Sequence, residues 1–227
     1  MESKGKIEEV FMEFGIDESY KAPAIIMDIL LNRDKRELLF KKLLETHNYD
    51  VSYDWFYEYF QDEHAERKKK KQDFTPICVA DLLSKLSMSS CGNAGHYYEC
   101  CAGTGGIMIK HWDNFRKTLS PFTYKPHLHF AMVEELSDRT IPFLLINMMI
   151  RGMNGVVLHC DTIRRHCKAA YFICNTKDDH MQFSRLSIIP HTSTFERIFN
   201  VKFTSDEYIE YKELMALEDV YELLRGM

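Results

Sequence analysis

An α/β fold preceded by a helical region is what this sequence predicts, and three observations carry the expectation. The segment Tyr98-Glu-Cys-Cys-Ala-Gly-Thr-Gly-Gly-Ile107 runs from an apolar lead-in into four small residues, Gly103 to Gly106. Small residues at the end of a strand permit a sharp turn and let backbone N–H groups come close to a ligand. From there to about residue 175, short apolar strands alternate with helical segments. That alternation predicts a parallel sheet whose ligand chemistry gathers at the carboxyl ends of its strands. The first 66 residues, in contrast, carry apolar spacing of the helical kind alone.

Taken in order, Ile7, Val10, Phe11 and Phe14 mark the apolar face of a first helix. Further runs follow at 24–31, at 38–44 and in the aromatic group Trp55, Phe56, Tyr59 and Phe60. Gly15 and the Thr46-His-Asn-Tyr-Asp50 stretch read as breaks. Residues 1–66 therefore read as a separate helical region and residues 67–227 as the α/β domain. Between them, the five bases Arg67 to Lys71 are suited to phosphate contact, and equally to a solvated linker.

Pro76, at an early helical position with Thr75 as its cap, opens a helix that runs past Leu83. Ile107-Met-Ile-Lys-His-Trp112 begins another, its N-terminus facing the glycine loop. Leu128 to Glu135 reads as a second strand ending in acid, and Ile141 to Ile150 as a helix terminated at Gly152. Gly155 to Cys160 forms a third strand with Asp161-Thr162 at its end, and Ala169 to Cys174 a fourth ending at Asn175. Residues 183–203 supply one or two more strands. The remainder, 205–224, spaces Ile209, Leu214, Leu217, Tyr221 and Leu224 as the inward face of a helix.

Composition narrows the function classes. At 227 residues the chain suits one moderate α/β domain with a small accessory piece. Hydrophobic residues make up 45%, ample for a packed core. The net charge of −5 argues against a generally basic nucleic-acid binder while leaving room for a local patch. No stretch approaches a membrane span and Met1-Glu-Ser-Lys-Gly is not a signal peptide, so a cytoplasmic location is expected. The seven cysteines are expected to be reduced. Cys160, Cys167 and Cys174 recur every seven residues, but without a Cys-x-x-Cys pair or suitable histidines they make no zinc site. Cys160 and Cys174 read as small apolar fillers, and His127 and His129 as sharing one face of the second strand. Neither a nucleophile elbow nor a metal-ligand cluster is present, which sets hydrolases and metalloenzymes aside.

The order of motifs adds to this reading. Phe-Thr-Pro76 comes first, then Glu99-x-x-x-Gly-Thr-Gly-Gly106, then Glu135 with Asn147-Met-Met-Ile-Arg-Gly152 twelve residues on, then Asp161-Thr162. In that order the chain resembles the adenine-specific (N6) DNA methyltransferases, and is most similar to the modification subunits of type I restriction–modification systems. The resemblance covers residues 70–175, roughly, and implies a Rossmann-like, doubly wound methyltransferase sheet with S-adenosylmethionine as its cofactor. Residue by residue, it implies that Thr75 and Pro76 lie against the methionine end of the cofactor. Glu99 with the backbone of Ala102, Gly103, Thr104, Gly105 and Gly106 would floor the site. Glu135 would accept from the ribose hydroxyls, and Asp161 would sit beside the adenine ring. The expected partners are DNA and a specificity or modification subunit, and the helical preface is similar to that of the same subunits.

The family's catalytic signature is Asn or Asp, two prolines, then an aromatic, at the end of the fourth strand. There an amide oxygen and a backbone carbonyl accept the hydrogens of the attacking amine, and the aromatic stacks on a flipped base. This chain has Asn175-Thr-Lys-Asp178. Asn175 is the expected catalytic residue, but the prolines and the aromatic are gone, and only 52 residues follow, too few for a separate DNA-reading module. Three readings stay open: a DNA adenine-N6 methyltransferase, a catalytically degenerate cofactor-binding homologue that acts as a regulatory or interaction partner, and a methyltransferase for another substrate.

Overall fold

The computed structural model describes residues 2–61, 75–90, 95–204, 209–211 and 213. Four helices come first: α1 (Glu2–Glu13), α2 (Ala22–Leu30), α3 (Arg33–Thr46) and the short α4 (Tyr57–Gln61). The Asn32 side chain caps α3 by accepting from the Lys35 N–H at 3.1 Å, as a short amide at an N-cap does. α5 (Ile77–Ser90) begins just past Pro76, whose carbonyl takes the Val79 and Ala80 N–H groups. Breaks fall where expected, with Gly15 at φ 77° and Asn48 and Tyr49 at φ 51° and 59°.

The sheet holds β1 (His96–Cys100), β2 (Phe130–Glu135), β3 (Asn154–Asp161), β4 (His166–Cys174), β5 (Arg185–Ile188) and β6 (Lys202–Phe203), in the order β1-β2-β3-β4-β5, with β6 also on β4. β1, β2 and β3 are parallel, linked by α6 (Gly106–Lys117) and α7 (Ile141–Ile150). The wholly parallel sheet expected from the alternation does not form. β3 turns straight back into an antiparallel β4, and β5 is antiparallel to β4. Only residues 162–165 separate β3 from β4, and a parallel return needs a crossover of roughly a dozen residues or more. The result is a mixed α/β sheet, compatible with a Rossmann-like fold.

α7 is buried at all ten positions. A helix apolar all round belongs inside, and α7 lies between the sheet and the N-terminal helices. Its Phe143 receives Phe11, Phe56, Tyr59 and Phe60, with ring centroids 4.9 to 6.1 Å away. The helical region is therefore not a separate globule, for it shares one core with β1–β3. A second core, on the other side of the sheet, packs Val156, Leu158 and Phe172 under Phe195 and Phe199 of α8 (Ser193–Phe199). Gly152 ends α7 as expected, at φ 64°.

Of the C-terminal helix read from the sequence, most lies outside the described residues. Residues 209–211 and 213 are irregular, with Ile209 61% exposed rather than inward. The basic run 67–71 also lies outside them. Among the described residues no helix is long and apolar enough to cross a membrane.

Candidate functional site

The loop after β1 sits at the carboxyl end of the three parallel strands, where an open α/β sheet places ligands. Cys101, Gly103 and Gly105 take positive φ values of 63°, 59° and 92°. At Gly105 the φ of 92° favours glycine, and a Cβ would also displace the ends of the Met108 and Leu144 side chains, whose Cε and Cδ1 would lie 2.7 and 2.9 Å away. Gly106 then opens α6.

Two sets of contacts fix this loop. From the sheet, the Ala102 N–H donates to the Glu134 carbonyl at 2.8 Å, and the Gly103 N–H to Glu135 Oε2 at 2.8 Å. The other oxygen, Glu135 Oε1, accepts from the Ser137 N–H at 2.7 Å. Glu135 thus ties the glycine loop to the segment leaving β2. An ionised carboxylate has about four acceptor positions, and these two bonds occupy two of them.

From beneath, the Thr104 hydroxyl donates to Asp54 Oδ2. Asn147 Nδ2 donates to Asp54 Oδ1 at 2.9 Å and to the Thr104 carbonyl at 2.7 Å. Arg151, one turn on, donates to the Asn147 carbonyl and carboxamide oxygens at 2.9 and 2.8 Å, and to the Val51 and Tyr53 carbonyls at 2.8 and 2.6 Å. It also lies over the Trp55 ring, which stacks on His47 with centroids 4.4 Å apart. Burial pushes the Asp54 carboxyl up, against the pull of the Thr104 and Asn147 hydrogen bonds, and draws the Arg151 guanidinium down to about 10. A buried charge needs such a satisfied setting. Sequence reading missed Asp54. The available signal was two polar residues at helical spacing, Asn147 and Arg151, on an otherwise apolar helix.

Acids line this end of the sheet. Glu99, half-buried on β1, accepts from the Tyr97 hydroxyl at 2.9 Å. Burial, then the nearby Glu135 charge, pushes its carboxyl up to about 7. Glu134, also missed from the sequence, is buried between the Arg165 guanidinium at 2.7 Å, the Tyr98 hydroxyl at 3.1 Å and the Cys160 thiol at 3.4 Å. Burial works to raise it, but the Arg165 bond and charge hold it below the usual range. Asp161 lies two positions past His159, the register partner of Glu135, and so reaches the same end. There its carboxylate holds the β3–β4 turn by accepting from the Ile163 and Arg164 N–H groups at 3.0 and 2.9 Å.

The fold thus brings together Glu99, Ala102, Gly103, Thr104, Gly105, Gly106, Glu135 and Asp161. Thr75 and Pro76 open α5, whose Asp81 and Ser84 bond Asn114 of α6 at 3.2 and 2.9 Å. Among the described residues they relate to the loop through that packing of helices.

Asn175 does not join the group. Because β4 runs backwards, Asn175 lies level with the start of β3, its N–H donating to Asn154 Oδ1 at 2.6 Å. The length of β3, at about 3.3 Å per residue, puts it roughly 20 Å from Asp161. Its carboxamide is fully engaged, donating to the Asp179 and Gln182 carbonyls of its own loop at 2.8 and 3.0 Å and to the Gly152 carbonyl at 3.4 Å, and accepting from the Asp179 N–H at 3.2 Å. Asp178, where the family has an aromatic, pairs with His127 Nδ1 at 2.7 Å. His127 and His129 do not share a strand face: β2 starts at Phe130, His127 is exposed, and His129 is buried 3.1 Å from His111 Nδ1. Among the described residues no cluster is suited to a metal ion.

The assembled end offers glycine-permitted close approach and carboxylates, the Ala102, Gly103 and Gly105 N–H groups being engaged within it. This suits a ligand that carries hydroxyls and positive charge. Comparison with family models, with curated proteins and with solved structures finds no match to this chain.

Proposed function

We propose that this protein binds S-adenosylmethionine at the β1 loop, as a cofactor-binding homologue of the DNA adenine methyltransferases in which Asn175 does not serve methyl transfer. The cofactor fits the donor set. Its ribose hydroxyls match the acceptor oxygens of Glu135, Asp161 would sit beside its adenine ring, and its sulfonium charge suits the Glu99 carboxylate. Ala102 to Gly106 would hold it through backbone approach. When bound, it supplies an electrophilic methyl group; this chain's residues bind and orient it.

One observation carries the non-catalytic reading: the antiparallel β4 takes Asn175 to the far end of the sheet. A residue that polarises an amine must lie within hydrogen-bond reach of it. On this reading the protein acts through a partner, such as a modification or specificity subunit. An active DNA adenine-N6 methyltransferase is the second reading, favoured by the unbroken order of family-like segments from Thr75 to Asn175.

Labelled S-adenosylmethionine incubated with the protein and unmethylated DNA, with nucleosides resolved by mass spectrometry, separates the two. Binding of the cofactor without methylated adenine is the expected result. Methylated adenine establishes the second reading, and absence of binding removes both.

A further inference from the structure

At the opposite end of the sheet, α3 and the segment between β4 and β5 enclose a cleft of about 330 Å³. That is within the range of small-molecule sites. Among the described residues five cations line it, Arg33, Arg36 and Lys41 from α3 with Lys177 and Arg185 from the β4–β5 segment, against one acid, Glu37. The chain as a whole carries −5, so this concentration of positive charge runs against its composition.

Two of the five charges are matched internally. Arg33 Nε pairs with Glu37 at 2.9 Å, and Arg36 Nη2 grips both oxygens of Glu213 at 2.8 and 2.9 Å. Among the described residues, no carboxylate pairs with Lys41, Lys177 or Arg185. Arg36 adds a second sign. Its side chain is 2% exposed, and its buried Nε–H has no partner among those residues. A buried guanidinium N–H without an acceptor is costly, which favours an anionic ligand beside it.

The wall is built rather than incidental. Asn175 holds the 175–182 loop closed through three carboxamide bonds within it and a fourth to the Gly152 carbonyl. Gly152, at φ 64°, lies so close beneath that a Cβ would meet the Gln182 carbonyl at 2.8 Å and Asn175 Nδ2 at 2.9 Å. This loop presents Lys177 across from Lys41.

We propose that this cleft is a phosphoryl-anion site, taking a small phosphorylated ligand or a phosphate of a nucleic-acid backbone. A phosphate offers three acceptor oxygens to converging guanidinium and ammonium groups, the pairing for which Arg and Lys are suited. The site is independent of what the β1 loop binds.

The test is calorimetric titration of the full chain with inorganic phosphate, ribose 5-phosphate and a short oligothymidylate at low salt. S-adenosylhomocysteine is kept in excess so that no probe is read through the β1 loop, and none of the probes carries adenine. Binding of at least one probe is expected, weakened tenfold or more in a Lys41→Glu, Lys177→Glu double variant and by added salt. Both lysines are exposed, so this variant is expected to fold; its unfolding temperature provides the check. Binding of ribose 5-phosphate assigns a free phosphorylated ligand, and binding of oligothymidylate alone assigns a nucleic-acid backbone. Failure of all three probes to bind at low millimolar concentration, or unchanged binding in the folded double variant, overturns the proposal.

Discussion

The two ends of this sheet differ in charge, in construction and in how they use the same residue types. At the carboxyl ends of β1–β3, Glu99, Glu134, Glu135 and Asp161 gather around a loop anchored from both sides. At the other end, cations from α3 and the β4–β5 segment line a cleft behind a loop held by Asn175. An asparagine carboxamide organises each end. Asn147 holds the glycine loop to Asp54, and Asn175 closes the 175–182 loop on itself. A residue's chemistry therefore does not reveal its role until the strand direction is known. One four-residue turn after β3 decides which end receives the fourth strand's last residue.

The largest expected effect breaks the acidic end. Asp54→Ala leaves the Thr104 hydroxyl and the Phe56 N–H without their acceptor, takes one of the two acceptors of Asn147 Nδ2 and removes the counter-charge of buried Arg151. A loss of about 3–5 kcal/mol is expected in urea unfolding, the usual range for breaking a buried charged network. A loss below about 1 kcal/mol would show that the network contributes little.

Gly105→Ala is next. It forces a Cβ onto a residue at φ 92° and against Met108 and Leu144. About 2 kcal/mol of stability should go, together with cofactor affinity, since the loop cannot keep its shape.

Asn175→Ala tests the other end. Four carboxamide bonds are lost in a buried position, which should cost about 1–3 kcal/mol. Cofactor affinity should not change, and a large loss would mean that the two ends are coupled.

The smallest effect is in pH. The folded Glu99 carboxyl titrates near 7, above its ordinary value of 4.5, because burial favours the neutral form. Its contribution is thus present below about pH 4.5 and lost as pH rises to about 7. His111 and His129, lowered by burial to about 4 and about 3, act in the opposite sense: stability falls as pH drops below about 6.5. Glu99→Gln should therefore remove that fall between about pH 4.5 and 7 and so steepen the rise that the two histidines give up to about pH 6.5. An unchanged profile in that variant would remove Glu99 from the account.

Much of the fold was legible in the sequence. The four N-terminal helical runs, the glycine loop, β2 with its terminal acid and the Gly152 stop follow from periodicity and turn chemistry, which act over a few residues. The direction of β4 was legible too, in the short span between Cys160 and Ala169, but alternation of elements masked it. What could not be read was partnership across distance. Asp54 meets Thr104 fifty residues away, and Glu134 meets Arg165 across a turn, and no local pattern marks either pair. The shared core around Phe143 is hidden for the same reason, since an aromatic run reads as helix whether or not it covers a sheet.

Calorimetric titration of S-adenosylmethionine into the wild-type chain, Glu135→Gln and Asn175→Ala tests the central claim most directly. The account predicts binding to the wild type, a loss of at least about tenfold in Glu135→Gln, where a charged acceptor to loop and ligand is removed, and an unchanged affinity in Asn175→Ala. A wild-type chain that does not bind, or an Asn175→Ala variant that folds but has lost the cofactor, would contradict it.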